Sequence, residues 1–345
     1  ADAAAIFVDG RYTVQVRQQV SAELFEFLHL VDEPHARWLG KRLDKGKRVG
    51  YDPHMHSLTW QKKTADTLAR SGVELMALDE NLIDRCWHDR PQAGRHPAIL
   101  MEARYTGKSS ADKRHEIGAA IAEQGAEAAL VFAADSVAWL LNIRGSDVPH
   151  LPLVLGYALL FADGRLTFFT DPLKIPAGFD AHTGAGVEVL AENEADAAFR
   201  TLAGKRVLAD PDTANAWCQL RLAAHGAELI AGADPVLLPK ACKNAAEIAG
   251  MRAAHIRDAA AEIRFLAWLD AEVAAGRLHD EATLCERLYA LRAADPLLKD
   301  LSFDTISAAG GNAAMCHYRH SDTDPGRLVM NAVYLVDSGA HYLDD

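Results

Sequence analysis

The strongest constraint on the fold is an internal repeat. The sequence GKRV at residues 46–49, followed by Asp52-Pro53, returns at residues 204–207, followed by Asp210-Pro211. The second copy lies 158 residues after the first in both parts. Several matches at one constant offset are improbable by chance, so we expect two copies of one folding unit.

The match extends to both sides of these segments. A helix-compatible stretch follows each Asp-Pro and leads to GVEL at residues 72–75 or to GAEL at residues 226–229. Upstream, the strand-like residues 5–9 correspond loosely to residues 166–171. If the two copies have equal length, roughly 50 residues of the first copy are missing before residue 1. We therefore expect the N-terminus of this chain to be incomplete.

The apolar pattern inside the copies predicts an α/β fold. Residues 128–132 form a short apolar run typical of a buried strand, and residues 113–124 have the pattern of a helix. Strands and helices that alternate in this way are typical of α/β domains.

Three domains are expected along the chain. The first covers residues 1–108 and ends in a predicted linker at residues 91–108, where Pro, Gly and Arg are scattered without periodicity. The second covers residues 109–240, and the third covers residues 241–345.

The third domain is predicted to begin with two helices. Asn244 and Glu247 form an N-x-x-E pattern that can cap a helix start. Apolar residues then recur at helical spacing from Ile256 to Ala267. Residues 281–293 are predicted to form the second helix.

Charge and cysteine content argue against some classes of function. The net charge is −12 and the chain contains no Lys/Arg run, so no nucleic-acid partner is expected. No apolar run approaches the length of a bilayer-spanning helix, so no membrane partner is expected. The five cysteines include no C-x-x-C pair, which is typical of reduced, mostly buried cysteines in a cytoplasmic protein.

One histidine near the C-terminus is a candidate for chemistry. Residues 303–318, FDTISAAGGNAAMCHY, are predicted to run from a short strand through a Gly-Gly-Asn turn into a second strand that ends at His317. A neutral imidazole at such a position can hydrogen-bond a reacting carbonyl in a cleft. A structural or solvent-facing role for His317 is the alternative, and local pattern does not decide between them.

An aspartate ends the next predicted strand. The apolar residues 332–336 lead directly to Asp337, and Gly339 behind it permits a close approach of two backbones. A carboxylate at the end of a buried strand must be paired or must bind a metal ion. A turn or cap role for Asp337 is the alternative.

These segments resemble a known family. FDTISAAGGNAAMCHY and YLVDSGAHYLD are similar to the catalytic domain of Xaa-Pro aminopeptidases (aminopeptidase P), pita-bread metallopeptidases that have a long, three-domain form. IFVDGRYTVQ and NLIDRCWHDRP resemble the first domain of that form, DSVAWLLNIRGSDVPHLPL resembles the second, and KNAAEIAGMRAAHIRDAAA resembles the start of the third. The resemblance implies two repeated creatinase-N-like α/β domains followed by the first part of a pita-bread α+β catalytic domain.

The resemblance implies roles for two residues. His317 matches the family histidine that contacts substrate and stabilises the tetrahedral intermediate, and Asp337 matches the first aspartate of a dinuclear metal site. The other ligands, an aspartate, a histidine and two glutamates, would fall beyond Asp345. Asp344 fits the family pattern, whereas Asp345 stands where glycine is expected and receives no role. The 345-residue chain alone is therefore expected to be inactive.

The resemblance also implies a reaction. Two divalent ions, usually Mn²⁺, would hold a hydroxide that attacks the peptide carbonyl before proline. The substrates would be peptides with proline in the second position. The protein would be a cytoplasmic homodimer.

The sequence leaves open the role of Arg144 and two alternative functions of the protein. Arg144 follows the apolar residues 139–141 and either reaches a substrate cleft or fixes a local turn. Prolidases and methionine aminopeptidases share the catalytic fold, but the duplicated N-terminal unit does not resemble theirs. Creatinase also shares the fold but uses no metal, so Asp337 argues against it. A pita-bread domain that binds peptides without metal or catalysis is the other alternative, and retention of His317 and Asp337 disfavours it.

Overall fold

The structure, a computed structural model, describes residues 3–91, 94–320 and 324–345. It divides the chain into two units. The first unit holds the N-terminal segment up to Lys41 together with Ile248–Asp345, and the second unit holds Arg42–Glu247. Among the described residues, every helix is too short or too polar to cross a lipid bilayer.

The helices and 3-10 turns of the described residues are distributed along the whole chain. The helices are α1 (Gln15–Gln19), α2 (His35–Arg42), α3 (Leu58–Ala69), α4 (Leu82–Cys86), α5 (Ala103–Thr106), α6 (Ser110–Glu123), α7 (Ala134–Leu141), α8 (Phe179–Thr183), α9 (Ala195–Arg200), α10 (Ala216–Ala224), α11 (Leu237–Ala241), α12 (Ala245–Ala274) and α13 (Glu281–Ala293). The 3-10 turns are Gly10–Tyr12, Pro172–Lys174, Glu192–Glu194 and Gly310–Ala314.

The strands are mostly four residues long. They are β1 (Ala5–Val8), β2 (Glu26–His29), β3 (Arg48–Tyr51), β4 (Glu74–Ala77), β5 (Ile99–Leu100), β6 (Ala128–Val131), β7 (Ile143–Arg144), β8 (Tyr157–Phe161), β9 (Leu166–Phe169), β10 (Val187–Leu190), β11 (Arg206–Ala209), β12 (Glu228–Ala231), β13 (Leu298–Leu301), β14 (Ile306–Ala309), β15 (Tyr334–Asp337) and β16 (Ala340–Tyr342).

A six-stranded sheet forms the core of the second unit. Its strand order is β10-β9-β8-β6-β11-β12, and β8 is antiparallel to both of its neighbours. Both faces of the sheet are covered. In β6, Ala129 and Val131 belong to one apolar cluster with Ile117 of α6, whereas Leu130 belongs to another with Leu222 of α10. A strand covered on both faces is apolar throughout, which explains why the continuous run at β6 was predicted correctly.

The strand register confirms the internal repeat. Ala5 of β1 pairs with Glu26 of β2, and Leu166 of β9 pairs with Val187 of β10. Leu166 lies 161 positions after Ala5, and Val187 lies 161 positions after Glu26. Strands β3 and β4 likewise pair in parallel, as β11 and β12 do. The two copies therefore share strand pairing as well as sequence.

Equivalent segments of the two copies also contact each other inside the second unit. The Thr59 amide donates a hydrogen bond of 2.9 Å to the Pro211 carbonyl. The Trp217 amide donates one of 3.0 Å to the Pro53 carbonyl. Trp217 lies 158 positions after Thr59, and Pro211 lies 158 positions after Pro53. The contact between the two copies is therefore reciprocal, as in a two-fold symmetric interface.

The predicted linker is more ordered than expected. Within residues 91–108, β5 pairs with β7 and α5 follows it. Residues 92–93 lie outside the described residues. The isolated prolines and glycines of this segment gave no periodic signal, because its two-residue strand and four-residue helix are too short to show one. The three domain boundaries themselves stay predictions.

The cysteine prediction is partly wrong. All five cysteines are unpaired, but only Cys218 is buried, and Cys86, Cys242 and Cys316 are exposed. Cys86 is the last residue of the short helix α4, and Cys242 directly follows α11. Their positions at the ends of short helices leave the thiols at the surface.

The two helices predicted for the third domain are confirmed. Asn244 Oδ1 accepts hydrogen bonds from the amides of Ala246 (2.9 Å) and Glu247 (3.1 Å), and Glu247 Oε2 accepts one from the Asn244 amide (2.9 Å). This is the expected capping box at the start of α12. The second helix, α13, spans the predicted residues Glu281–Ala293.

A buried arginine joins these two helices. The Arg292 side chain of α13 is fully buried and donates two hydrogen bonds to Asp258 of α12, at 2.8 and 2.9 Å. A third hydrogen bond, of 2.9 Å, reaches Glu262 one turn further along α12. Such a planar, bidentate pairing fixes both distance and orientation. Phe265 of α12 and Leu284 of α13 also pack in one apolar cluster with Ala309 of β14 and Tyr334 of β15, so this helix pair supports the strands that carry the candidate site.

Candidate functional site

Strands β14 and β15 carry the predicted site residues. They pair antiparallel, with Ile306 opposite Asp337 and Ala309 opposite Tyr334. Asp337 therefore lies at one end of this ladder. The loop that carries His317 leaves β14 at the other end, after Ala309.

Asp337 is an available carboxylate. β15 alternates between partly buried and exposed residues, and Asp337 is exposed. The expectation that Asp337 ends a buried strand is therefore wrong, because only Tyr334 and Val336 of β15 face the apolar cluster of this unit. Among the described residues, the Asp337 carboxylate makes no hydrogen bond and no ion pair. It is free to accept a ligand.

The glycine behind Asp337 acts as predicted. The Ser302 amide donates a hydrogen bond of 3.0 Å to the Gly339 carbonyl. A Cβ atom at position 339 would collide with Ser302 Oγ, so only glycine lets these two segments approach without a shift.

His317 lies on a loop, not at a strand end. The predicted second strand is wrong: a 3-10 turn at Gly310–Ala314 follows β14, and the Tyr318 amide then bonds the Met315 carbonyl at 3.2 Å. His317 itself is exposed, whereas the next residue, Tyr318, is buried. The loop is thus anchored through Tyr318 and presents His317 to the outside.

The anchor of this loop is Glu281, a residue that the sequence pattern did not single out. Its carboxylate is fully buried and accepts four hydrogen bonds. The donors are the amides of Ala309 (2.6 Å) and Gly326 (2.7 Å), the Asn312 side chain (2.9 Å) and the Tyr318 hydroxyl (2.7 Å). Burial acts to raise the pKa of Glu281, but these donors outweigh it, so the pKa is lowered below its ordinary value.

The same network explains why the predicted strand does not form. With the Ala309 amide and the Asn312 side chain both held by Glu281, the chain between them cannot extend and folds into the 3-10 turn. Glu281 is the first residue of α13, where an acidic residue is ordinary for helix stability alone. Its burial is the distinguishing property, and burial at a helix start is not visible in the sequence.

A second residue missed by the sequence analysis lies against His317. The ring of Tyr12 has its centroid 5.0 Å from that of His317, and the ring planes are tilted by 58°. Tyr12 ends the first 3-10 turn of the chain, which follows β1. The N-terminal segment of the first unit therefore reaches the loop of the candidate site.

Arg144 belongs to the second unit. It is the last residue of β7 and pairs with Ile99 of β5. Its side chain is partly buried. Whether it contacts substrate or holds the local turn stays a prediction.

The described residues provide one candidate metal ligand at this site. No group of three or more His, Cys, Asp or Glu side chains in the described ranges is arranged to hold a metal ion. No hydrogen bond or ion pair between described residues joins His317 to Asp337. A divalent metal site needs several oxygen or nitrogen ligands. The arrangement therefore fits one ligand of such a site and not the complete site.

Comparison with known families shows which domains the two parts of the chain resemble. Residues 89–247 match the creatinase/prolidase N-terminal domain. Residues 249–344, which include Glu281, His317 and Asp337, match metallopeptidase family M24. The chain thus resembles a creatinase/prolidase N-terminal domain joined to part of an M24 metallopeptidase domain. The predicted fold class, creatinase-N-like α/β domains followed by part of a pita-bread α+β domain, is confirmed.

Three relatives illustrate the likeness. A probable Xaa-Pro aminopeptidase P of Leptosphaeria maculans is 32% identical over 99% of this chain and 58% of its own length. Xaa-Pro aminopeptidase 1 of Dictyostelium discoideum is 32% identical over 98% of this chain and 56% of its own length. The crystal structure of X-prolyl aminopeptidase from Caenorhabditis elegans, described as a cytosolic enzyme with a di-nuclear active site, is 29% identical, with a TM-score of 0.91 over 100% of this chain and 58% of that one.

The chain thus spans just over half the length of these relatives. Its resemblance to Xaa-Pro aminopeptidases is confirmed over nearly every residue. A second solved structure, the Xaa-Pro dipeptidase of Bacillus anthracis, is 18% identical with a TM-score of 0.52 and shares the fold.

Proposed function

We propose that the protein is an Xaa-Pro aminopeptidase, which removes the N-terminal residue from peptides with proline in the second position. The observation that carries this proposal is the agreement of the whole chain with the worm X-prolyl aminopeptidase, at a TM-score of 0.91 and 29% identity. The Xaa-Pro dipeptidase of Bacillus anthracis, by comparison, matches 68% of the chain.

His317 would act on the carbonyl of the bond before proline. An exposed imidazole on an anchored loop can donate a hydrogen bond to an oxygen that gains negative charge during the reaction. Glu281 restrains the loop before the 3-10 turn at Ala309, within the turn at Asn312 and after it at Tyr318. The donor would therefore be held in place before substrate binds.

Asp337 would contribute one ligand to a pair of divalent metal ions. Its exposed carboxylate without a described partner, and the di-nuclear site of the worm relative, support this role. When bound, such ions supply a water molecule of lowered pKa and polarise the carbonyl. Mn²⁺ is the ion we propose, since oxygen ligands suit it.

The proposal extends to the setting of the protein. The worm relative is described as cytosolic, and all five cysteines of this chain are unpaired, which supports a cytoplasmic location. A homodimer is proposed from the family resemblance, and a substrate contact by Arg144 from its position after the apolar residues 139–141.

The test compares two peptides that differ at the second position. Full-length protein with added Mn²⁺ is expected to release arginine from Arg-Pro-Pro and to leave Arg-Ala-Ala intact. Release of arginine from both peptides at similar rates would contradict the requirement for proline. Failure to cleave either peptide with Mn²⁺, Co²⁺ or Zn²⁺ present would contradict the proposed activity.

A further inference from the structure

The contact between Tyr12 and His317 is not required by the local fold of either residue. Tyr12 ends a turn in which Asp9 Oδ1 accepts the Arg11 amide at 2.9 Å and the Asp9 carbonyl accepts the Tyr12 amide at 3.1 Å. Both bonds use the backbone of residues 11 and 12, so the turn does not depend on the Tyr12 side chain.

The second copy of the repeat provides an internal control. There, Asp171 Oδ1 accepts the Leu173 amide at 3.0 Å, and the Asp171 carbonyl accepts the Lys174 amide at 3.0 Å. The turn is the same, but lysine stands where the first copy has Tyr12. That lysine is buried in an ion pair with Asp147, at 2.7 Å. The repeated turn thus accepts an aromatic or a cationic side chain, and each copy uses the position for a different contact.

Tyr12 is also not a core residue. Its side chain is 36% exposed, and among the described residues its hydroxyl makes no hydrogen bond. His317 beside it is exposed as well. Two rings 5.0 Å apart that both keep solvent-facing surface form a wall rather than a packed interior. Tyrosine is suited to such a wall, because it offers an apolar face and a polar tip at little cost in conformational entropy.

We propose that Tyr12 is a substrate-binding residue, which forms with His317 an aromatic wall of the peptide site. The inference rests on the proposed function, in which His317 contacts the carbonyl before proline. The Tyr12 ring lies about 5 Å from that imidazole and therefore within one residue of the reacting bond. Its face can pack on the proline ring of the substrate or on the side chain of the residue before proline. The N-terminal repeat would then take part directly in peptide recognition.

The test measures binding separately from cleavage. Wild-type protein, Tyr12→Ala, Tyr12→Phe and the control Tyr289→Ala, an exposed tyrosine of α13, are titrated calorimetrically with Leu-Pro-Pro whose first amide is reduced to an uncleavable methylene-amine. Tyr12→Ala is expected to weaken binding about ten-fold, Tyr12→Phe less because the ring remains, and Tyr289→Ala less than two-fold. Unchanged binding by Tyr12→Ala, or a loss equal to that of Tyr289→Ala, would overturn the proposal.

Kinetics with cleavable Leu-Pro-Pro distinguish binding from positioning. For Tyr12→Ala, KM is expected to rise about ten-fold while kcat changes less. A fall in kcat at constant KM would show that Tyr12 merely orients His317, and would also overturn the proposal. If the wild type binds the analogue but cleaves no peptide, the proposed activity fails while the binding data still decide the role of Tyr12. If the wild type does not bind the analogue, both proposals fail.

Discussion

The Tyr318 hydroxyl donates a hydrogen bond of 2.7 Å to Glu281 Oε2, although the two residues are 37 positions apart. This bond ties the residue next to His317 to the first turn of α13. Because Glu281 also accepts hydrogen bonds from the amides of Ala309 and Gly326, one carboxylate holds the chain both before and after the candidate catalytic histidine. The order of the site thus depends on a residue that need not touch substrate.

Substitution of Glu281 by glutamine is expected to disorder this loop. Four hydrogen-bond donors point at the Glu281 carboxylate. Glutamine would replace one acceptor oxygen with an NH₂ group, so two donors would then face each other. We expect a loss of about 2–4 kcal/mol in the free energy of unfolding and a lower kcat. Denaturant unfolding and steady-state kinetics measure the two effects. The matched control is Glu286→Gln, which removes an exposed carboxylate from the same helix and should change stability by less than about 0.5 kcal/mol. Equal stability of the two variants would contradict the network.

Removal of the His317 side chain should affect the chemical step. His317→Ala is expected to lower kcat about 10²–10³-fold, the usual effect of losing one donor to a developing oxyanion. Metal content and thermal stability should stay near wild type, because the side chain is exposed. His255→Ala is the control, since His255 is an exposed histidine bonded to the Met251 carbonyl of its own helix. A kcat within three-fold of wild type would exclude His317 from the mechanism.

Asp337→Asn tests the metal assignment independently of activity. Asparagine keeps the shape of aspartate but removes the charge that offsets repulsion between two cations. We expect full-length Asp337→Asn to lose at least one metal ion per chain. After both proteins are stripped of metal, it should unfold at the wild-type temperature, because the native carboxylate is exposed. Metal analysis by mass spectrometry and a thermal melt provide the readouts. Asp270→Asn, at an exposed position of α12, should retain its metal. Two tightly bound ions in Asp337→Asn would disprove the role of Asp337 as a ligand.

The fold was predictable where sequence and structure repeat together. Ser57 and Asn215 lie 158 positions apart and face each other in an antiparallel bridge. Ser57 caps α3 by accepting the Trp60 amide, and Asn215 caps α10 by accepting the Cys218 amide. Helix caps and short apolar strands are set by local residues, so the pattern of one copy predicts the other.

The candidate site was predictable only in part. His317 and Asp337 were identified from their resemblance to a family, and their local structure was predicted less well than that of α12 and α13. The 3-10 turn depends on Glu281, and the wall beside His317 depends on Tyr12, which is distant in the chain. Such contacts arise from tertiary packing, for which neither periodicity nor propensity contains a signal.

A buried lysine in the second unit gives a last prediction, on the effect of pH. The Lys113 ammonium is buried and donates hydrogen bonds to the Trp139 carbonyl (3.1 Å) and the Asn142 side chain (2.8 Å). It also lies 3.9 Å from the centre of the Trp139 ring, whose Nε1 donates to Glu247 at 3.0 Å. Burial lowers the pKa of Lys113 from 10.5 to about 8, although the nearby Glu247 carboxylate acts to raise it.

The sign of the effect follows from this lowered pKa. Below about pH 8, Lys113 is charged in both the folded and the unfolded chain, and the folded state bears the full cost of burying the charge. Between about pH 8 and 10.5, the unfolded chain still binds the proton while the folded chain does not, so this residue makes the fold more stable as pH rises. The gain over that range should approach about 3 kcal/mol.

Lys113→Met isolates this contribution. Burial raises the pKa of Tyr157 and of Cys218, and these groups act in the opposite direction at alkaline pH, but they are present in both proteins. The difference in unfolding free energy, wild type minus Lys113→Met, should therefore increase between pH 8 and pH 10 in urea titrations. Lys62→Met, which removes an exposed lysine of α3, is the matched control. If the difference for Lys113→Met increases no more than the difference for Lys62→Met, the Lys113 ammonium is not held in a desolvated site.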